Sequence, residues 1–304
     1  MAAKAVRTDG DAAGRRAVLV GLIGQGIRLS RTPLMHESEG RAQGLPYIYR
    51  LLDTDCMGDP PPSLDELVRS AERFGFCGFN VTFPYKQEIL PLLDELSPTA
   101  RDLGSVNTVV LRDGRRVGHN TDMWGFRESF RTGMSGAARD SVLLLGAGGA
   151  GVAVAFALLE IGAGRLLVHD VDKVRADALV ARLTARFGGG RAELAGDVAR
   201  AVRRADGIVN ATPVGMSKSP GIPLPATLLR ATHWVADIVY VPLETELLSR
   251  AREVGCRTLS GEGMAVHQAV RAFEHFTGIA PDADRMKATF AAFDGRPAHA
   301  GGGS

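Results

Sequence analysis

The sequence predicts an α/β protein of two domains. Short, wholly apolar runs such as Ala17 to Ile23 and Ser141 to Leu145 alternate with stretches whose apolar residues recur at helical spacing. Strands without a polar face are expected where helices cover both sides of a sheet. A glycine-rich turn follows the second of these runs, and 304 residues is the length of about two ordinary domains. The first domain is read over 17–123 together with the last helices, 263–292, and the second over 124–262, with a cleft expected between them. Residues 1–16 and 296–304, rich in Ala, Gly and charge, are expected to be disordered.

Hydrophobic residues make up 45% of the chain and charged ones 23%, which suits a packed core. The formal net charge of +2 is spread along the chain, so neither nucleic acid nor a membrane surface is expected as a partner. No apolar run reaches the roughly 20 residues of a membrane span, and the start has no apolar signal core. Cys56, Cys77 and Cys256 lie far apart. A sparse, odd count argues against a disulfide framework and for a reducing, cytoplasmic setting, with each thiol read as a small buried hydrophobe. No cluster of metal-ligating residues is visible, and no metal is expected.

In order along the first domain, Ala17 to Ile23 reads as a buried strand and Pro46 to Leu52 as an alternating one. Ser63 with Glu66 three residues on is a capping box for a helix from Leu64 to Phe74. Gly78 to Thr82 is a short strand stopped by Pro84, and Tyr85 to Leu93 is read as the next helix. Val106 to Leu111 and Arg116 to His119 flank Asp113-Gly114, a two-residue hairpin turn. A helical connector runs from about Met123 to Gly136.

The second domain alternates more regularly. Ser141 to Leu145 is a strand, and a helix runs to about Ile161. Then come a strand Arg165 to His169, a helix Lys173 to Phe187, a short strand near Ala192 and a helix Asp197 to Arg203. Strands at Gly207 to Val209 and Trp234 to Ile238 follow. Strands separated by helices imply right-handed parallel crossovers. Gly146-Ala-Gly148-Gly149-Ala150-Gly151 fits G-x-G-x-x-G between strand and helix, the signature of a Rossmann-type dinucleotide-binding domain. There the helix N-terminus offers unpaired N–H groups to phosphate.

Asp170 ends the following strand, where a carboxylate accepts from the adenosine ribose hydroxyls and repels a 2′-phosphate, so NAD is expected over NADP. Alternatively, Asp170 only caps the next helix. Lys173 and Arg175 follow closely, and Arg175 either lies along the adenosine or faces solvent. Thr212, after Asn210 at a strand end, is a cofactor contact or a turn former before Pro213.

Three polar clusters carry the candidate chemistry. Asn80-Val-Thr82-Phe-Pro84-Tyr85-Lys86 places a lysine where a helix is expected to begin, a position that opposes the helix dipole and suits general acid–base work. Its rival reading is an ordinary surface lysine. His119-Asn120-Thr121-Asp122 ends a strand beside the domain border, and Asp122 either holds Lys86 or caps the helix after it. Asn107 adds a third polar group, and His119, lacking an acid partner at clear spacing, ranks below Lys86 as a base. Ser30 and Thr32 offer two hydroxyls in the first loop, for a carboxylate or a polyol, or as caps ahead of Leu34 to Glu39.

Ser30-x-Thr32-Pro33, Asn80-Val-Thr82-x-Pro84-x-Lys86, Val106-Asn107-Thr108, Asn120-Thr121-Asp122, the glycine turn and Gly263-Met264-x-x-x-Gln268 occur in that order. With them the chain, over about 18–292, resembles the shikimate dehydrogenase family. The resemblance implies Lys86 as the catalytic lysine and Asp122 as its partner. It implies Ser30, Thr32, Thr82, Lys86, Asn107, Asp122, Tyr240 and Gln268 as substrate-binding residues. Gly146, Gly148, Gly149, Ala150, Gly151, Asp170, Arg175, Thr212, Gly261 and Ala265 would bind the cofactor. Thr32 in the first loop and Asp170-Val171-Asp172 at the strand end depart from the Ser-x-Ser and Asn-Arg-Ser/Thr of the biosynthetic, NADP-dependent enzymes. Both are similar to the NAD-dependent quinate/shikimate dehydrogenase branch.

The expectation is reversible oxidation of quinate to 3-dehydroquinate and of shikimate to 3-dehydroshikimate with NAD, by a monomer or homodimer. The alternatives are an NADP-dependent shikimate dehydrogenase and a non-catalytic sensor of NADH or a metabolite.

Overall fold

The computed structural model describes residues 17–293, so the expectations for 1–16 and 296–304 fall outside it. The chain divides into two units, one of residues up to 121 together with those from 269 onward, the other of 122–268.

In the first unit, β1 (Val18–Gly24) is buried along almost its whole length, as its apolar run requires, and leads to α1 (Thr32–Ala42). Then follow β2 (Tyr47–Asp53), α2 (Leu64–Arg73), β3 (Gly78–Val81), β4 (Glu95–Leu96), α3 (Pro98–Leu103), β5 (Thr108–Arg112) and β6 (Arg115–His119). They form one mixed sheet in the order β2-β1-β3-β5-β6-β4. β1 pairs parallel with β2 and β3, while β5 is antiparallel to both β3 and β6. The β5–β6 turn is the expected two-residue one, with positive φ at both Asp113 and Gly114, as a type I′ turn demands. The capping box at Ser63 and Glu66 is formed.

One expected element is absent. Residues 85–93 are not a regular helix but a run of turns ending in a 3₁₀ turn at Leu90–Leu92. Pro91 has no N–H to extend an α ladder, and most of the remaining bonds close over three residues: Tyr85 to Thr82, Leu90 to Gln87 and Leu92 to Ile89. Lys86 therefore does not sit at a helix N-terminus, and the dipole argument for it falls away. Cys56 corrects a second expectation. It is exposed at the end of the turn Thr54–Cys56, while Cys77 and Cys256 are buried, and all three are free.

The second unit opens with α4 (Asp122–Gly133), then β7 (Ser141–Leu145), α5 (Gly149–Glu160), β8 (Arg165–His169), α6 (Lys173–Phe187) and β9 (Ala192–Leu194). It continues with α7 (Val198–Arg204), β10 (Gly207–Asn210), β11 (Trp234–Asp237), α8 (Glu246–Val254) and β12 (Arg257–Leu259). All of its strand pairs are parallel, in the order β12-β11-β10-β7-β8-β9. That is the doubly wound order of a Rossmann-type sheet, and the winding reverses between β7 and β10.

α9 (Glu262–Thr277) carries the border between the units inside it, after Gln268, rather than before it at 262/263 as expected. The helix is continuous, so the border is set by what each turn packs against. Its first turns lie on α4, where a Cβ on Gly125 would come within 2.8–3.1 Å of Met264 and Gln268, and its later residues Ala272, Phe273 and Phe276 join the core of the first sheet. α10 (Ala283–Ala291) closes the described chain. Among the described residues no helix is long and apolar enough to cross a membrane.

Two buried ionisable groups pin α1 within the first unit. Burial raises the Glu39 carboxyl, but bonds from Arg285, the Asp282 N–H and Gln43 outweigh it and hold that carboxyl below its usual range. His36 is enclosed by Tyr47, Tyr49, Phe273 and Phe276, its Nδ1 is 2.8 Å from the Tyr47 hydroxyl, and burial lowers its pKa to about 3.

Folded His36 thus stays neutral while the unfolded side chain takes up a proton below about pH 6.5. Between those two values the unfolded state binds more protons, so stability falls with falling pH, by up to roughly 1.4 kcal/mol per unit from this site. Urea unfolding at about pH 7.5 and about pH 5 should show a smaller acid-dependent loss for His36→Gln than for the parent chain. Equal losses would remove His36 as a source of acid lability.

Candidate functional site

In the first unit the candidate residues lie on loops at the carboxyl ends of β1 and β3 and at the entry to β5. Gly24 has no side chain because a Cβ there would collide with the Thr82 methyl, which lets the first loop approach the segment after β3. The Gln25 N–H donates to the Phe83 carbonyl (3.0 Å), and the Thr82 N–H to the Ile23 carbonyl (2.9 Å). The Lys86 carbonyl accepts from the Val106 N–H (2.8 Å), and the Asn107 carbonyl from the Val81 N–H (2.8 Å). Ser30, Thr82, Lys86 and Asn107 are thereby carried on backbone segments bonded to one another, with Lys86 half-buried.

Side-chain bonds narrow what each can do. The Ser30 hydroxyl accepts from the Thr32 N–H (3.3 Å), so the loop caps its own helix start and leaves the hydroxyl proton to point elsewhere. Thr32 is the first residue of α1, whose N-cap, Arg31, makes no side-chain cap bond. Asn107 is buried, accepts from the Thr121 N–H (2.8 Å) and the Thr108 hydroxyl (3.0 Å), and donates to the Thr121 hydroxyl (3.0 Å). Asn80 donates to the Asn107 carbonyl and the Thr108 hydroxyl and accepts from the Tyr49 hydroxyl, so its work is to tie β2, β3 and β5 together. His119 stacks on His275, ring centroids 4.1 Å apart. Burial, then the Arg271 charge, lowers its pKa against a smaller pull from Glu95.

Sequence reasoning missed Asp53. Its buried carboxylate accepts from the N–H groups of Gly26 (2.9 Å), Ile27 (3.1 Å) and Asp55 (3.3 Å), holding the first loop from the end of β2. An aspartate before a turn gives no sequence signal of so distant a partner.

In the second unit the glycine turn divides its labour. Gly146 has φ +100°, and a Cβ there would fall 2.6 Å from the Ala211 carbonyl oxygen, on the loop after β10. A Cβ on Gly151 would collide with the Gly146 carbonyl. Gly148, the N-cap of α5, has open space where a Cβ would stand. The chain's own packing thus demands Gly146 and Gly151 but not Gly148. The space over Gly148, at the positive end of α5 with Gly149 and Ala150 in its first turn, fits the pyrophosphate of a dinucleotide.

Asp170 is not the cap of α6. That role belongs to Asp172, which accepts from the N–H groups of Val174 (3.0 Å) and Arg175 (3.3 Å). Asp170 instead accepts from the Ala147 N–H (2.6 Å) and the Asp172 N–H (2.8 Å), joining the glycine turn to the loop after β8. Arg175 is exposed and pairs with Asp172 (3.2 Å). The Thr212 hydroxyl bonds to Asn210 Oδ1 (2.7 Å) and accepts from the Val214 N–H (3.2 Å), as a turn former does. Asn210 in turn donates to the Val214 carbonyl and to Asp237, whose carboxylate also accepts from Thr245 (2.7 Å) and the Val239 N–H (3.0 Å). Burial raises the Asp237 carboxyl against these bonds. This pair under the loops after β10 and β11 was also missed, since Asn and Asp at strand ends look like ordinary turn residues.

Gly261 lies against the backbone of Ile238 and Val239, and its carbonyl accepts from the Ala265 N–H at the start of α9. Tyr240 is exposed in the loop after β11. Asp122 is the buried first residue of α4, one turn before Gly125, and Gln268 packs its backbone on that glycine. Gln268 Nε2 donates to the Ala265 carbonyl (3.0 Å). Among the described residues no group of three or more His, Cys, Asp or Glu is placed to hold a metal ion.

The shikimate dehydrogenase substrate binding domain matches residues 22–109, and the shikimate 5′-dehydrogenase C-terminal domain matches 261–289. The shikimate dehydrogenase (NADP(+)) of Streptomyces avermitilis is 54% identical over 92% of this chain and 97% of its own. The quinate/shikimate dehydrogenase (NAD(+)) of Corynebacterium efficiens is 50% identical over 90% of this chain and 98% of its own. Among solved structures, quinate dehydrogenase from Corynebacterium glutamicum in complex with NAD superposes with a TM-score of 0.87 at 48% identity, covering 91% of this chain and 99% of that one.

The glycines give a direct test of the turn. Gly151→Ala should cost about 2–4 kcal/mol of stability because the collision is with backbone. Gly148→Ala should leave the melting temperature within about 2 °C and weaken dinucleotide binding by roughly tenfold or more, read by calorimetric titration. Unchanged affinity in Gly148→Ala would take the pyrophosphate away from this turn.

Proposed function

This chain belongs to the shikimate dehydrogenase family, and from that membership we propose that it oxidises quinate to 3-dehydroquinate and shikimate to 3-dehydroshikimate, reversibly, with NAD. The observation that carries the reading is the gathering of Ser30, Thr82, Lys86 and Asn107 on mutually bonded loops of the first unit. Two hydroxyls, an amide and an ammonium on a fixed frame suit a hydroxylated ring acid.

Ser30 and Thr32 hold the carboxylate of the acid, while Thr82, Asn107, Asp122, Tyr240 and Gln268 orient its ring. Lys86 takes the hydroxyl proton at Nζ, and Asp122 is assigned as the carboxylate of the acid–base pair. General acid–base help of this kind contributes about 10²–10⁴-fold. The pyrophosphate is held by the N–H groups of Gly149, Ala150 and Gly151 over Gly146 and Gly148. The adenosine is held by Asp170 and Arg175, and the nicotinamide end by Thr212, Gly261 and Ala265. Bound NAD supplies the hydride acceptor. A cytoplasmic setting fits three free cysteines.

Cofactor choice is supported by the loop after β8. The carboxylate of Asp172 already occupies the N–H groups that open α6, and Asp170 stands beside it. A 2′-phosphate brought there meets two carboxylates, and the two cations that follow them are already paired, Arg175 to Asp172 and Lys173 to Asp177. The second reading, an NADP-dependent shikimate dehydrogenase, draws on the Streptomyces avermitilis relative, whose name carries NADP(+).

Initial rates with both acids and both cofactors separate the two readings. kcat/KM with NAD should exceed that with NADP by at least about tenfold, some 1.4 kcal/mol. A preference for NADP would overturn the reading of Asp170 and Asp172. Lys86→Ala should lower kcat by roughly 10²–10⁴-fold with NAD affinity retained. Near-normal turnover would remove Lys86 from the chemistry.

A further inference from the structure

The geometry points to Asp53, Thr54 and Tyr85 as positioning residues: a hydrogen-bonded clamp that fixes the Ser30–Thr32 loop against the Lys86 segment and so sets the affinity for the acid's carboxylate. The inference rests on the roles proposed above for Ser30, Thr32 and Lys86.

The clamp has two arms. In the first, the buried carboxylate of Asp53 accepts from the N–H groups of Gly26 (2.9 Å) and Ile27 (3.1 Å), and the Ile27 carbonyl in turn accepts from the Ser30 N–H (2.9 Å). A carboxylate that served only its own turn would stop at the Asp55 N–H, which it also meets at 3.3 Å. Reaching 26 and 27 residues back along the chain, with charge-assisted bonds, it fixes the backbone from which Ser30 projects.

In the second arm, the Tyr85 hydroxyl donates to Thr54 Oγ1 (3.0 Å), and the Thr54 hydroxyl donates to the Gly24 carbonyl (3.3 Å). Each hydroxyl has one proton, so this chain runs in one direction, from the residue before Lys86 to the residue that opens the first loop. The same two segments touch again at Gln25 and Phe83 and where Gly24 passes Thr82. Asp53 and Thr54 are adjacent at the end of β2, so one strand end holds both arms. A shift of the first loop relative to Lys86 misplaces two hydroxyls that must meet one carboxylate while the ammonium meets a hydroxyl on the same ring. Errors of about 1 Å in such positioning are costly.

The test uses the full chain with saturating NAD and varied shikimate. Tyr85→Phe and Thr54→Val each delete a hydroxyl while keeping shape, and Ser30→Ala serves as the reference. Tyr85→Phe should raise KM for shikimate about fivefold and Thr54→Val about tenfold, with kcat kept within about threefold and the Kd for NAD within about twofold. Because both act through one bonded chain, the double variant should be no worse than Thr54→Val alone, within about twofold. An additive double variant overturns the clamp, as do a fallen melting temperature with unmoved KM and parallel losses in kcat and NAD affinity. If Ser30→Ala raises KM but Tyr85→Phe and Thr54→Val do not, the clamp alone is overturned. If Ser30→Ala leaves KM unmoved, the carboxylate reading of the loop fails and the clamp with it.

Discussion

Where a strand of a packed sheet begins or ends, backbone N–H and carbonyl groups that water does not reach each need a partner. In this protein a few buried side chains supply them: Asp53 at the end of β2, Asn107 before β5, Asn210 at the end of β10 and Asp237 at the end of β11. Each bonds the backbone of a loop that carries a candidate site residue. The first loop with Ser30 hangs on Asp53, the segment at Thr121 on Asn107, and the turn at Thr212 on Asn210 and Asp237. A loop held from beneath by a buried carboxylate or amide loses little further entropy when a ligand arrives, and that is the physical basis of a preformed site.

The sequence announces the parts of the fold that repeat and hides the parts that converge. Strands such as Ser141–Leu145 and Arg165–His169, the helix Lys173–Phe187 and the capping box at Ser63 follow from local pattern, and the structure keeps their bounds. The segment 85–93 misled because its apolar residues have helical spacing while Pro91 forbids the ladder, and the proline decided. Asp53 and Asp237 were illegible for a different reason. Their partners lie 26–27 residues away at Gly26 and Ile27 and 27 residues away at Asn210, and no local spacing encodes a contact of that range.

The glycine turn shows why its motif is weak in isolation. Gly146 and Gly151 are required by contacts within the turn and with Ala211, so they would be kept in a strand–helix junction with no ligand at all. Gly148 is left without such a reason, and it stands at the N-cap where a phosphate is best received. The ligand signal in such a motif therefore lies in the glycine that the fold does not need.

In the function proposed above, cofactor choice follows from the same kind of competition for backbone donors. Relatives named for NADP and for NAD are 54% and 50% identical to this chain over the aligned residues, so overall similarity does not discriminate between them. The deciding terms are local. The first N–H groups of α6 form an anion site in principle, but Asp172 has filled it with the chain's own carboxylate, and Arg175 is turned to the same group. A 2′-phosphate would have to displace that carboxylate or lie beside it, and like charges at such separations oppose binding. A ribose hydroxyl asks only for an acceptor, and Asp170, whose two oxygens each already hold one backbone N–H, keeps lone pairs for it.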